Sequence, residues 1–169
     1  MRGLTVWLTG LPCSGKTTIA NAVAERLDGP VEILDGDEVR EFLSRDLGFS
    51  QEDRDTQVLR VGWVASKLAR HGVTVLVSLV SPYADARDKV RALHGEAGVD
   101  FVEVHVATPV EVTSQRDVKG MYAKAYAGEI AHFTGVDDPY EPPASPDLVI
   151  HTHHETVEQS AARVLELIR

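Results

Sequence analysis

Gly10-Leu11-Pro12-Cys13-Ser14-Gly15-Lys16-Thr17 matches G-x-x-x-x-G-K-[ST] at every position. Glycines at these places let successive backbone N–H groups turn inward toward phosphate oxygens, above the positive end of a helix. Lys16 is then placed to reach the β- and γ-phosphates of a nucleoside triphosphate, and the Thr17 hydroxyl to ligate Mg²⁺. With Thr18, these eight residues are the expected nucleoside triphosphate site. A second cluster, Asp35-Gly36-Asp37, offers two carboxylates. Beside a γ-phosphate they could take a proton from an acceptor hydroxyl or organise the cation. The same tripeptide could also be a plain turn in which Asp37 caps the next helix. An enzyme that only hydrolyses its triphosphate usually carries an aspartate at the end of a central strand. The apolar run that would supply it ends Ser78-Leu79-Val80-Ser81-Pro82, without a carboxylate. Phosphoryl transfer to a small molecule is therefore expected over hydrolysis.

These groups need a scaffold that brings strand ends together, and the residue pattern supplies one. Leu4–Thr9, Val31–Leu34, Val73–Val80, Phe101–Val106 and Leu148–Ile150 read as short β-rich runs. Val73–Val80 is apolar almost throughout, as expected of a central strand covered on both faces. Helical spacing of apolar residues marks Lys16–Leu27 and Gln51–Arg70, the latter with Val58, Val61, Val64, Ala65 and Leu68 inward. Further helices are expected over Asp37–Ser44, Ala84–His94, from Pro109, and over Thr156–Arg169. Strands alternating with helices predict an α/β fold: a five-stranded parallel sheet flanked by helices, with strand C-termini converging on the phosphate loop. The stretch from about 117 to 146 carries three glycines and four prolines, Gly120, Gly128, Gly135, Pro139, Pro142, Pro143 and Pro146. It is too long for an ordinary connection and reads as a mobile lid.

Composition narrows the class. At 169 residues, 43% hydrophobic and 25% charged, the chain has the size and make-up of one globular domain spanning 1–169. Seventeen basic residues against 26 acidic give a net charge of −9, which argues against a nucleic-acid polymer or an anionic membrane as partner. No apolar stretch is long enough to span a membrane. Met1-Arg2-Gly3-Leu4 enters its first apolar run at once, so no signal peptide is expected. The lone Cys13 excludes an intrachain disulfide, and the expectation is a soluble cytoplasmic enzyme.

Beyond the phosphate loop, further blocks carry a resemblance. They are Leu34-Asp35-Gly36-Asp37-Glu38-Val39-Arg40, Leu47-Gly48-Phe49-Ser50-Gln51-Glu52-Asp53-Arg54 and Val80-Ser81-Pro82-Tyr83. Gln115-Arg116-Asp117-Val118-Lys119-Gly120-Met121-Tyr122 and Phe133-Thr134-Gly135-Val136-Asp137-Asp138-Pro139-Tyr140-Glu141 follow in order. Together they resemble the adenylylsulfate kinases over nearly the whole chain. That resemblance implies a P-loop kinase fold and MgATP-dependent phosphorylation of the ribose 3′-hydroxyl of adenosine 5′-phosphosulfate, giving PAPS and ADP for sulfate assimilation. It implies Asp37 as the base with Asp35 in support. Arg40 and Arg54 would grip the phosphosulfate, and Phe49 and Phe133 would sandwich the adenine. Gln57, Val80 and Ser81 would line the acceptor pocket, Ser81 matching a serine treated in the family as a phosphorylation site. Lys119 would neutralise charge on the transferred group, and Arg116 would pack on the ATP base. Members tend towards homodimers.

Departures from the pattern lie around the acceptor. Glu38 stands where the family has asparagine, Gln57 where it has a substrate-binding asparagine, Leu59 and Ala84 where it has arginines, and Ala123, Tyr126 and Ala131 where its lid is basic. Glu38 is expected either to pair with Arg40 or Arg54 or to mark another acceptor, such as a cytidine diphosphoramidate conjugate. A nucleotide-binding regulator without transferase activity is a third reading, which the retention of Lys16, Thr17, Asp35, Asp37 and Lys119 disfavours. Trp7 and Trp63 are expected in the core, and His151, His153 and His154 as a solvent-exposed run rather than a metal site.

Overall fold

In the computed structural model, which describes residues 3–169, twelve elements alternate along the chain. They are β1 (Leu4–Thr9), α1 (Lys16–Ala24), β2 (Val31–Asp35), α2 (Gly36–Glu41), α3 (Gln51–Arg70) and β3 (Thr74–Ser78). Then come α4 (Ala84–Glu96), β4 (Asp100–Val106), α5 (Val110–Arg116), α6 (Met121–Tyr126), β5 (Leu148–Ile150) and α7 (Val157–Leu167). Met1 and Arg2, with the expectation about the amino terminus, lie outside the described residues.

The five strands form one parallel sheet in the order β2-β3-β1-β4-β5. β1 occupies the centre, and β3, the most apolar run, lies beside it. Alternation along β1 decides which helices pack where. Val6 and Leu8 face α1 and α7 through Ile19, Ala20, Val23, Ala161 and Val164. Trp7 faces α3 and α4 through Val58, Val61, Ala65 and Val90. Burying each of these aliphatic side chains contributes on the order of 1.5–3 kcal/mol, so both faces are covered at little polar cost. The chain order reverses direction across the sheet beside β1, and there the C-terminal ends of β1, β2 and β3 open a crevice.

Three expectations are corrected. β3 stops at Ser78, because Asp35 of β2 and Leu8 of β1 are its last partners; Leu79 to Pro82 continue as a loop. Trp63 is 55% exposed, two positions from the inward Val61 and so on the opposite side of α3, with the Lys67 ammonium over its ring. The 117–146 stretch contains a short helix, α6, started by Asp117, whose carboxylate accepts from the N–H groups of Tyr122 and Ala123.

Candidate active site

The phosphate loop is built by close approach and by outward-facing carbonyls. A Cβ on Gly10 would sit 2.5 Å from the carbonyl oxygen of Val106, so only glycine lets the loop leave β1 against the end of β4. Gly15 caps α1 with φ 106°, a left-handed conformation that glycine adopts without strain. Remote side chains then satisfy the loop's carbonyls from behind. Thr108 and Thr152 hydroxyls donate to the Ser14 carbonyl at 2.9 and 2.8 Å, and Tyr122 donates to that of Pro12 at 2.8 Å. Arg116 Nη1 donates to the Cys13 and Ser14 carbonyls. These bonds hold the curl of the loop, the kind of curl whose amides suit phosphate oxygens.

Lys16 is buried and donates to the carbonyls of Gly10 (2.9 Å) and Leu11 (2.7 Å). Burial pushes its ammonium down to about 8, against the opposing pull of Cys13, Asp35 and Asp37. Thr17 donates to Asp35 Oδ2 at 2.5 Å and lies 3.0 Å from the Ser78 hydroxyl. The other Asp35 oxygen accepts from the Asp37 N–H at 3.0 Å, so the α2 cap is Asp35 and not Asp37. Asp37 instead forms an ion pair with Lys119, which arrives from the 117–146 segment.

Across the crevice the facing wall is made of side chains. Arg40 donates to the carbonyls of Leu47 and Gly48, and its guanidinium stacks 4.2 Å from the Phe49 ring. Arg54 donates to the carbonyls of Phe49 (3.1 Å) and His132 (2.6 Å), bridging the start of α3 to the 117–146 segment. Burial chiefly, and then the charge of Arg54, makes Arg40 hold its proton less tightly than usual. Phe133 is set edge-on to Tyr122 at 4.8 Å, and its N–H and that of His132 are fixed by the Asp137 carboxylate. Ser81 is buried with φ 42°, accepts from Trp7 Nε1 at 3.0 Å and donates to the Leu79 carbonyl.

One cavity of about 880 Å³ joins the two sides. Pro12, Cys13, Lys16, Thr17, Asp35, Asp37, Arg40, Phe49, Arg54, Gln57, Val80, Ser81, Lys119 and Phe133 all reach it. Gly10, Leu11 and Ser14 do not line it, their part being the loop's backbone. Gly15, Thr18 and Arg116 line a separate recess of about 170 Å³ beside Thr152 and Glu155. Glu38 is exposed, lies off the cavity wall and pairs with neither Arg40 nor Arg54. Leu59, Ala84, Ala123 and Tyr126 are also off the wall, so of these departures only Gln57 and Ala131 face the cavity. Gln57 is buried, and its carbonyl oxygen has no partner. Ile130 and His132 line the cavity without having been singled out in sequence. The left-handed φ of His132 aims its carbonyl at Arg54, and no motif announces it. Among the described residues no group of three or more His, Cys, Asp or Glu is placed to hold a metal ion, and no helix is long and apolar enough to cross a membrane.

A parallel sheet with this loop at its switch point, carboxylates opposite and a second pocket alongside defines a P-loop phosphotransferase. The family model for adenylylsulphate kinase matches residues 2–151. The adenylyl-sulfate kinase of Myxococcus xanthus is 54% identical over 169 residues, covering 99% of this chain and 91% of that relative. That of a Synechococcus species is 52% identical over 171 residues, with 99% and 95% covered. The solved APS kinase of Mycobacterium tuberculosis in complex with AMPPNP and APS superposes with a TM-score of 0.96 at 45% identity, covering 99% of this chain and 98% of that one. The chain belongs to the adenylylsulphate kinase family.

Proposed function

We propose that the protein transfers the γ-phosphoryl group of ATP to the ribose 3′-hydroxyl of adenosine 5′-phosphosulfate. The observation that carries this reading is the single cavity running from Lys16 and Thr17 to Arg40, Phe49, Arg54 and Phe133, with Asp37 between. The loop amides and Lys16 hold the triphosphate. Arg40 and Arg54 face the phosphosulfate, a pair of guanidinium forks suited to tetrahedral anions. Phe49 and Phe133 stack the purine, and the unpartnered Gln57 oxygen accepts from its exocyclic amine. Asp37 takes the proton of the attacking hydroxyl. Its pairing with Lys119 is exchanged on loading, when Lys119 moves to the transferring phosphoryl oxygens and leaves Asp37 to act as base.

Mg²⁺ fits the donor set. The Thr17 hydroxyl lies within hydrogen-bond reach of two further hard oxygens, those of Asp35 and Ser78. Thr17 would hold it with Asp35 behind, and the charge it supplies would neutralise the β- and γ-phosphates. The chain is proposed as one catalytic domain in which segment 117–146 serves as the lid, carrying Lys119 and Phe133 to the site and shutting out water. A free thiol at Cys13 suits a reducing, cytoplasmic setting. Exposed Leu59 and Trp63 on α3, and exposed Phe42 and Leu43 after α2, support a homodimer, which a monomeric mass in sedimentation would overturn.

An ADP-release assay over a panel of nucleotide acceptors tests the function. Turnover of adenosine 5′-phosphosulfate at micromolar concentration, with none of a cytidine diphosphoramidate, is expected. The reverse preference would replace this reading with that of a sibling kinase for another conjugate.

A further inference from the structure

One buried cation stands outside the residues that would touch substrate. Arg87 on α4 is 1% exposed, and its Nε lies 3.5 Å from Glu103 Oε2 on β4. Compensating a charge in this way gives little net stability over an apolar pair, so stability alone does not account for a cation here. The two arms of its fork go elsewhere. Nη1 donates to the Ser81 carbonyl at 2.6 Å and Nη2 to the Glu141 carbonyl at 2.5 Å.

Both partners matter to the acceptor pocket. Ser81, in a left-handed conformation that a serine rarely adopts, sits between Val80 and Pro82 on the cavity wall. Glu141 lies near the C-terminal end of the 117–146 stretch that carries Lys119 and Phe133. Its N–H donates to the Pro82 carbonyl at 2.8 Å, and its carboxylate accepts from the Ala84 N–H at 3.1 Å. Beside it, the Tyr140 ring lies 5.7 Å from the Arg87 guanidinium carbon, and its hydroxyl meets that of Thr9 at 2.8 Å. Thr9 donates to the Val80 carbonyl at 2.7 Å and immediately precedes the phosphate loop.

We propose that Arg87 is a positioning residue for acceptor binding: its fork holds the Val80–Pro82 wall and the C-terminal anchor of the 117–146 segment in register with each other and with the phosphate loop. The proposal rests on reading that cavity as the acceptor site. A lysine would keep the charge but could not bridge two carbonyls set apart by a planar fork.

The test compares Arg87→Lys with Arg91→Gln, which removes the neighbouring partner of Glu103 and Asp147 but no contact to the wall. Loss of charge-assisted bonds to the wall is expected to raise the acceptor KM about tenfold or more in folded Arg87→Lys. ATP affinity measured without acceptor should stay within about twofold, and Arg91→Gln should change neither. An unshifted acceptor KM in Arg87→Lys, or an equal loss of ATP affinity, overturns the role. Should Arg87→Lys not fold, Arg87→Gln carries the test, since its neutral amide can reach at most one of the two carbonyls. A selective rise in acceptor KM there supports the proposal, and an unchanged value overturns it. Wild-type protein inactive on adenosine 5′-phosphosulfate would instead refute the reading of the site, which separates the two failures.

Discussion

The two halves of the cavity are built on different principles. On the phosphate side, the groups that would meet the ligand are backbone amides and one lysine, all within eight consecutive residues and braced from behind by Thr108, Thr152, Tyr122 and Arg116. On the other side they are side chains drawn from α2, α3, the loop after β3 and the 117–146 segment, with Arg40 and Arg54 held by hydrogen bonds to backbone carbonyls of neighbouring segments. A local, backbone-built site tolerates changes of side chain but not of backbone shape. A dispersed, side-chain-built site has the opposite sensitivity.

The largest expected effect falls where the halves meet. Asp37→Asn keeps the size of the side chain but cannot accept the proton, and it should lower kcat by roughly 10²–10⁴-fold with ATP affinity preserved. Full turnover in steady-state assays would remove Asp37 from the role of base. On the phosphate side, Gly10→Ala forces a methyl against the Val106 carbonyl, so the loop must shift. About 1–3 kcal/mol should be lost from stability, with ATP affinity falling alongside it, as read by denaturant titration and calorimetry. An unperturbed variant would show that the loop is not braced as described.

Phe133→Ala should affect only the acceptor. Losing one stacked base contact of about 1–3 kcal/mol raises the acceptor KM by roughly five- to a hundredfold and leaves ATP binding alone. A matching loss of ATP affinity would erase the distinction between the halves.

The smallest effect is a pH dependence confined to the phosphate side. Lys16, with its pKa lowered to about 8 in the ligand-free protein, loses its charge as pH rises through that value. Bound phosphates favour the ammonium, so ATP affinity should be flat below about pH 8 and weaken above it, by up to about tenfold per pH unit. The unfolded chain keeps this proton to higher pH, so the same group makes the empty protein more stable as pH rises from 8 towards 10.5. Calorimetry showing constant ATP affinity up to pH 10 would contradict the burial of Lys16.

The same contrast explains what could be read from the residues alone. Gly10 to Thr17 announce themselves because a phosphate cradle is a local object with a fixed spacing between strand and helix. The sheet was legible for a similar reason, since β3 is apolar on both faces and α3 repeats its inward side chains regularly. Arg87 was invisible: it sits in an ordinary amphipathic stretch, and its meaning lies in two carbonyls 6 and 54 positions away. Glu38 misled in the other direction. Its place next to Asp37 in sequence suggested the acceptor pocket, but the first turn of α2 points it to solvent. Trp63 was misplaced because its size outweighed its helical phase.

The central claim is phosphorylation of one hydroxyl at the junction of the two halves. It is tested most directly by ³¹P NMR of the product formed from ATP, Mg²⁺ and adenosine 5′-phosphosulfate. One new phosphomonoester on the ribose 3′-oxygen, stoichiometric with ADP, is the predicted result. ADP accompanied by inorganic phosphate, or a phosphate on any other oxygen, would contradict it.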